Sequence, residues 1–171
     1  MAKGLGKSLN RGGRHAAILR LTRKLTNLVL PITDPGAAIG FGSIPAMKFP
    51  EGNILMHGMA GQFIISTTDT DVSDTWTGNV AIGSTATTDA TLSTTDIDMA
   101  QLTAIGAATL KVSPLLNVFS SGAQGGNIFD NTANLLVANI NMNIADASLS
   151  GAANMVINGY IVALITVLGD D

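Results

Sequence analysis

The heptapeptide Ala138-Asn139-Ile140-Asn141-Met142-Asn143-Ile144 alternates without a break between an apolar residue and an asparagine. A β-strand turns successive side chains to opposite faces, so this period of two predicts a strand with Ala138, Ile140, Met142 and Ile144 on its buried face. Asn139, Asn141 and Asn143 then form a row of amides on the solvent side. Short apolar runs of the same kind recur at 39–44, 54–59, 62–66, 75–82, 97–105, 109–112, 116–119, 135–144 and 155–168, separated by Gly, Pro, Asp and Asn. No helical stretch of ten residues stands among them. Eight or so strands in a body of this size predict an all-β fold, an antiparallel β-sandwich of jelly-roll type. The run 155–168 is too short for a membrane-spanning helix of roughly 20 residues, and its Ile and Val content and the pair Asn158-Gly159 predict a buried strand or hairpin.

The chain has 171 residues, 46% of them apolar and 12% charged, which suits one packed body. Its net charge of −3 conceals an asymmetry. Residues 1–33 hold seven cations (Lys3, Lys7, Arg11, Arg14, Arg20, Arg23, Lys24) and no acid, whereas the remainder holds two cations against all twelve acids, or −10. The chain therefore divides into a basic arm, 1–35, and an acidic body, 36–171. Glycine and polar residues dominate the start of the arm. From Arg14 onward Leu19, Leu21, Leu25 and Leu28 interleave with the cations, which predicts an extended or partly helical segment ended by Pro31 and Asp34-Pro35. Cations steer and leucines bury, so the arm is read as a docking element for an acidic protein surface. Its leucines argue against a nucleic-acid arm, and its lack of Trp and Phe argues against a membrane-surface helix. Deletion of residues 1–30 is expected to leave the body folded.

Chemistry-bearing side chains are scarce. There is no Cys, one Glu and two His, so the side chains used for nucleophilic, acid/base and metal chemistry are nearly absent, and neither an enzyme nor a cofactor is expected. His57 sits in an apolar run and is read as a hydrogen-bonded strand residue. Thr makes up 11 of the 31 residues from 66 to 96, a stretch without Lys, Arg or Glu that is read as exposed surface. Within it, Ser66-Thr67-Thr68-Asp69-Thr70-Asp71 recurs as Ser93-Thr94-Thr95-Asp96-Ile97-Asp98. The pairs Asp69/Asp71 and Asp96/Asp98 offer oxygens to a hard cation, but they lack the glycine and distal glutamate of a calcium loop, and turn closure is the favoured reading. Trp76, the only tryptophan, is a core plug or a subunit-contact anchor.

Three segments carry a family resemblance: Phe49-Pro50-Glu51-Gly52-Asn53-Ile54-Leu55, then Asp71-Val72-Ser73-Asp74-Thr75-Trp76-Thr77-Gly78-Asn79-Val80-Ala81-Ile82-Gly83, then Ala104-Ile105-Gly106-Ala107-Ala108. In their order over residues 40–145 the chain resembles the capsid decoration (cement) proteins of tailed bacteriophages. The resemblance implies a β-sandwich on the outer surface of the virion, often a trimer, that clamps major capsid protein subunits after assembly in the host cytoplasm. It supplies no catalytic, cofactor or metal residue. Homo-oligomerisation through the body and docking of the arm onto the major capsid protein are the partner expectations, with no small-molecule substrate and no membrane. Two other roles fit the composition: a head-fibre or tail module binding a receptor or glycan through the Thr-rich loops, and a packaging protein binding nucleic acid through the arm.

Overall fold

In the computed structural model, residues 17–36, 38–120, 126–133 and 135–169 are described. They form β1 (Leu19–Ile32), β2 (Gly40–Lys48), β3 (Gly52–Ser66), β4 (Gly78–Gly83), β5 (Ala100–Ile105), β6 (Leu116–Phe119), β7 (Ile128–Asn131), β8 (Val137–Ile144) and β9 (Ala153–Gly169). One sheet runs β1-β9-β3-β6, with β7 beside the start of β3; the other runs β2-β8-β4-β5. All pairs are antiparallel. Setting β7 aside, the pairs are nested: β1 with β9, β2 with β8, β3 with β6, β4 with β5. A long hairpin rolled up on itself gives this nesting, which is the jelly roll the strand spacing predicts.

The inward faces of the two sheets supply the core. On β8, Ala138, Ile140, Met142 and Ile144 are fully buried, as their alternation requires. They pack in one cluster with Ile54, Met56, Phe63 and Ile65 of β3 and Met155, Ile157, Ile161 and Ile165 of β9.

Several boundaries differ from the sequence reading. The runs 54–59 and 62–66 are one strand, β3, and 155–168 is one strand, β9, without a hairpin at Asn158-Gly159. Gly159 instead lets β9 pass close to β3, since a Cβ there would collide with the Gln62 carbonyl and the Phe63 backbone. Residues 109–112 form a tight turn, Thr109 and Val112 exchanging backbone hydrogen bonds around Leu110 and Lys111 at φ 50° and 64°. The four-residue β7 is too short to announce itself by periodicity.

The largest difference concerns the arm. Residues 19–32 are strand β1, paired with β9 from Leu19↔Ile165 to Ile32↔Ala153, so an arm of 1–35 does not stand apart from the body. Leu25, Leu30 and Ile32 are core residues. A period of two runs through Leu19, Leu21, Arg23 and Leu25 and again through Leu28, Leu30 and Ile32. A bulge between Leu25 and Leu28, with Asn27 at φ 49°, breaks the phase and produces the irregular spacing that masks a strand.

Candidate functional site

The described cations of the arm lie on β1, which is the edge strand of its sheet. Residues opposite one another in an antiparallel pair share a face. Leu19, Leu21 and Arg23 pair with Ile165, Ala163 and Ile161, all buried, and therefore face the second sheet. Arg20, Thr22 and Lys24 pair with Leu164, Val162 and Tyr160 and face outward.

The inward-facing set is left partly uncovered. β1 and β2 meet at the Thr33↔Phe41 bridge, and between the other ends of the two strands a cleft of about 450 Å³ opens at the side of the sandwich. Leu21 and Arg23 line it from β1, and Pro45, Met47 and Lys48 from β2. Both strands are sheet edges, and Pro45, which cannot donate to a ladder, suits such a position. The cleft thus combines apolar walls, two cations and exposed strand edges. The sequence reading singled out Leu21 and Arg23 but none of the β2 members, Lys48 included, because they lie far from the start of β1 in the chain.

Of the other residues assigned to docking, Leu25 is buried in the chain's own core and Leu28 packs partly against it, so neither is free to grip a partner. Leu19, Arg20, Leu21, Arg23 and Lys24 remain at least partly accessible. Lys3, Lys7, Arg11 and Arg14 lie outside the described residues.

The asparagine row is not on the solvent side in the sense expected. Asn139, Asn141 and Asn143 point away from the core yet are buried, because residues 84–98 fold back over them. Asn139 Nδ2 donates to the Ser84 carbonyl, Asn141 Nδ2 to those of Thr85 and Asp96, and Asn143 Nδ2 to that of Ala90. Part of the Thr-rich stretch is therefore a strap across the outer face of the β2-β8-β4-β5 sheet. Thr87 and Leu92 are buried members of the strap itself. Amides satisfy a loop's backbone groups from a flat sheet without the desolvation cost of a charge. Three amides in a row with no Lys, Arg or Glu among them is the signal that could have revealed a covered polar face.

The two acidic repeats are occupied with turn closure. Asp98 accepts from the backbone N and the Oγ of Ser84 at 2.7 and 2.6 Å, and Asp96 accepts from the Ser93 backbone N. Burial pushes the Asp98 carboxyl above the ordinary carboxylate range, against the opposing pull of the Ser84 hydrogen bonds. Asp69 accepts from the backbone N of Asp71 and of Asn154, both at 3.2 Å, and Asp71 accepts from the Ser150 hydroxyl. Among the described residues no group of three or more His, Asp and Glu stands together to hold a metal ion. His57 Nε2 lies 2.8 Å from Thr166 Oγ1 across the β3/β9 pair, the hydrogen-bonded strand position expected of it. Trp76 is fully buried in the core cluster, with no hydrogen-bond partner for its Nε1.

No family model matches the chain, and no curated protein matches it. Among solved structures, it is similar to the empty head of turnip yellow mosaic virus, at 13% identity and a TM-score of 0.34 over 96% of this chain and 87% of that one. A likeness of this size adds nothing to the strand pairing described above.

Proposed function

We propose that this chain is a virion structural protein that decorates a phage capsid, docking on the outer surface of the major capsid protein through the start of β1 and the basic segment before it. The observation that carries this reading is the concentration of seven cations in the first 33 residues of a chain that is otherwise strongly acidic. The fold places the last three of them, Arg20, Arg23 and Lys24, on an edge strand beside an open cleft that Lys48 completes. Exposed strand edges offer backbone hydrogen bonds to an extended segment of a partner, and the cations select an acidic one. A part that is assembled once and left in place needs packing and attachment, not chemistry.

The test is co-sedimentation of the full chain with undecorated shells. Arg20→Glu, Arg23→Glu and Lys24→Glu together should weaken binding by about 10-fold or more, since reversing charge at a steering site replaces attraction by repulsion. Unchanged binding by this variant would overturn the docking role. Copy number separates the roles further: hundreds of copies per particle are expected of a decoration protein, and a handful would favour a tail or fibre part.

A further inference from the structure

The hydrogen bonds of β3 settle which backbone groups of β1 are unused. Met59 donates its N–H to Ser120 Oγ and accepts the Ser120 N–H on its carbonyl, so both groups point away from β9. Ile65 does the same with Ser113. In an antiparallel pair, residues that exchange ladder bonds alternate with residues that do not. Ala163 and Ile157, opposite Met59 and Ile65, therefore bond to β1, where their partners are Leu21 and Leu28. By the same alternation Leu19, Arg23 and Leu25 direct their N–H and C=O groups to β9. Arg20, Thr22 and Lys24 turn theirs to the open edge, and among the described residues no backbone group meets them there.

The facing edge is blunted, whereas this one is regular. β2 carries Pro45, which has no N–H, and a bulge between Pro45 and Met47, two devices that discourage pairing. β1 has neither from Leu19 to Leu25. Its own bulge, between Leu25 and Leu28, faces that of β2 where the cleft continues as a pocket of about 60 Å³. Bulges bend the strands that carry them, so the two edges part beyond this point and the cleft opens along the first half of β1. Leu21 and Arg23 point into it, while the side chains of Arg20 and Lys24 stand on the outer face.

We propose that β1 accepts an extended acidic strand of another protein on this edge, in antiparallel register, and that the cleft reads alternate side chains of the added strand. The inference deepens the docking reading above and rests on it for the identity of the protein that supplies the strand. Antiparallel pairing is the stronger kind and the one used throughout this fold. The added residue opposite Leu21 shares its face, against the cleft walls formed by Met47 and Val137, and is apolar. The residue two positions earlier, opposite Arg23, turns toward Arg23 and Lys48 and is acidic. Those opposite Arg20 and Lys24 lie beside these cations on the outer face and are acidic too. From N- to C-terminus the recognised segment therefore reads acid, acid, any residue, apolar, acid. A polypeptide is the occupant because the edge presents carbonyls as well as N–H groups, and another backbone satisfies both. The phosphates of a nucleic acid accept hydrogen bonds but donate none to those carbonyls.

Amide exchange of the full chain, free and bound to undecorated shells, reads the edge directly. Binding should slow exchange at Arg20, Thr22 and Lys24 by about 10-fold or more and change little at Leu19, Leu21 and Arg23, which already bond to β9. Thr22→Pro removes one outward N–H and no ladder bond. Pro31 and Pro45 already occupy such outward positions on β1 and β2. The variant should keep its unfolding midpoint and bind shells about 10-fold or more weakly. Should it unfold, the exchange pattern alone decides. Shell binding with unchanged exchange at the three amides, or undiminished by a folded Thr22→Pro, would overturn strand addition and leave charge-steered docking standing. If the full chain does not bind shells, the docking reading falls and the edge is decided by a peptide. Acetyl-Glu-Asp-Thr-Val-Glu-amide, at up to about 5 mM, should shift the amide resonances of Arg20, Thr22 and Lys24. The peptide of reversed sequence, which sets valine against Arg23, should shift them less. Equal shifts with both peptides, or none with either, would overturn the proposal.

Discussion

The backbone N–H of Thr87 donates to the side-chain Oδ1 of Asn141 at 3.1 Å, across 54 positions of sequence, with both residues buried. The same asparagine donates through Nδ2 to the carbonyls of Thr85 and Asp96, each at 2.9 Å, and its Oδ1 accepts from Ser43 Oγ at 2.6 Å. One side chain on β8 therefore ties both ends of the strap and the neighbouring strand β2 to the sheet.

Asn141→Ala should destabilise the protein by about 2–4 kcal/mol, because it strands several buried donors and acceptors at 1–3 kcal/mol each, with partial relief from water. Denaturant unfolding measures the loss. Amide exchange should quicken first at Thr87 and around it, before the strands of the core. Uniform exchange across the whole chain would show that the strap is not held locally.

Truncation should separate the two halves of the arm. Removing residues 1–17 should leave the fold intact. Removing residues 1–30 deletes most of β1, including Leu25 and Leu30, and uncovers the edge of β9, so loss of folding or aggregation is expected. Within the full chain, Leu25→Ala should cost about 2–4 kcal/mol, the range for a large-to-small change at a buried leucine. The unfolding midpoint of each variant is the readout.

Asp98 has a folded-state pKa above its unfolded value because of burial. The folded state then binds the proton more tightly than the unfolded chain, so this group's contribution to stability rises as pH falls from neutral through the raised pKa. Asp98→Asn removes the titration. Relative to that variant, the natural protein should gain stability as pH falls from neutral toward the ordinary carboxylate range. Paired thermal unfolding curves across that range test the sign, and a constant difference would show that Asp98 is not the group responsible. Asp130 works in the opposite direction. It is fully exposed and held below the carboxylate range by the backbone and side chain of Thr132, so its contribution is lost as pH falls.

Trp76 buries a large ring and leaves its Nε1–H unpartnered. Trp76→Phe loses packing but also removes that orphan donor, so its cost should be about 1 kcal/mol or less, against about 3–5 kcal/mol for Trp76→Ala. As the only tryptophan, Trp76 reports on the result directly. Its emission should be blue-shifted in the folded protein and move to the red on unfolding.

The alternation at 138–144 and the spacing of turn residues determined the all-β class, because a period of two permits only a strand with one buried face, and the number of short runs made a jelly roll the expected form. The charge asymmetry was also a property of the sequence alone. Which strands pair was a matter for the tertiary structure, since nested pairing joins residues as far apart as Leu19 and Ile165. So was the phase of β1, where one bulge at 25–28 turned a regular strand into a spacing that also suits a helix. The asparagines show the division most clearly. Their period fixed the face they occupy, but only the returning strap at 84–98 decided that this face is buried, because burial depends on what the rest of the chain lays over a surface.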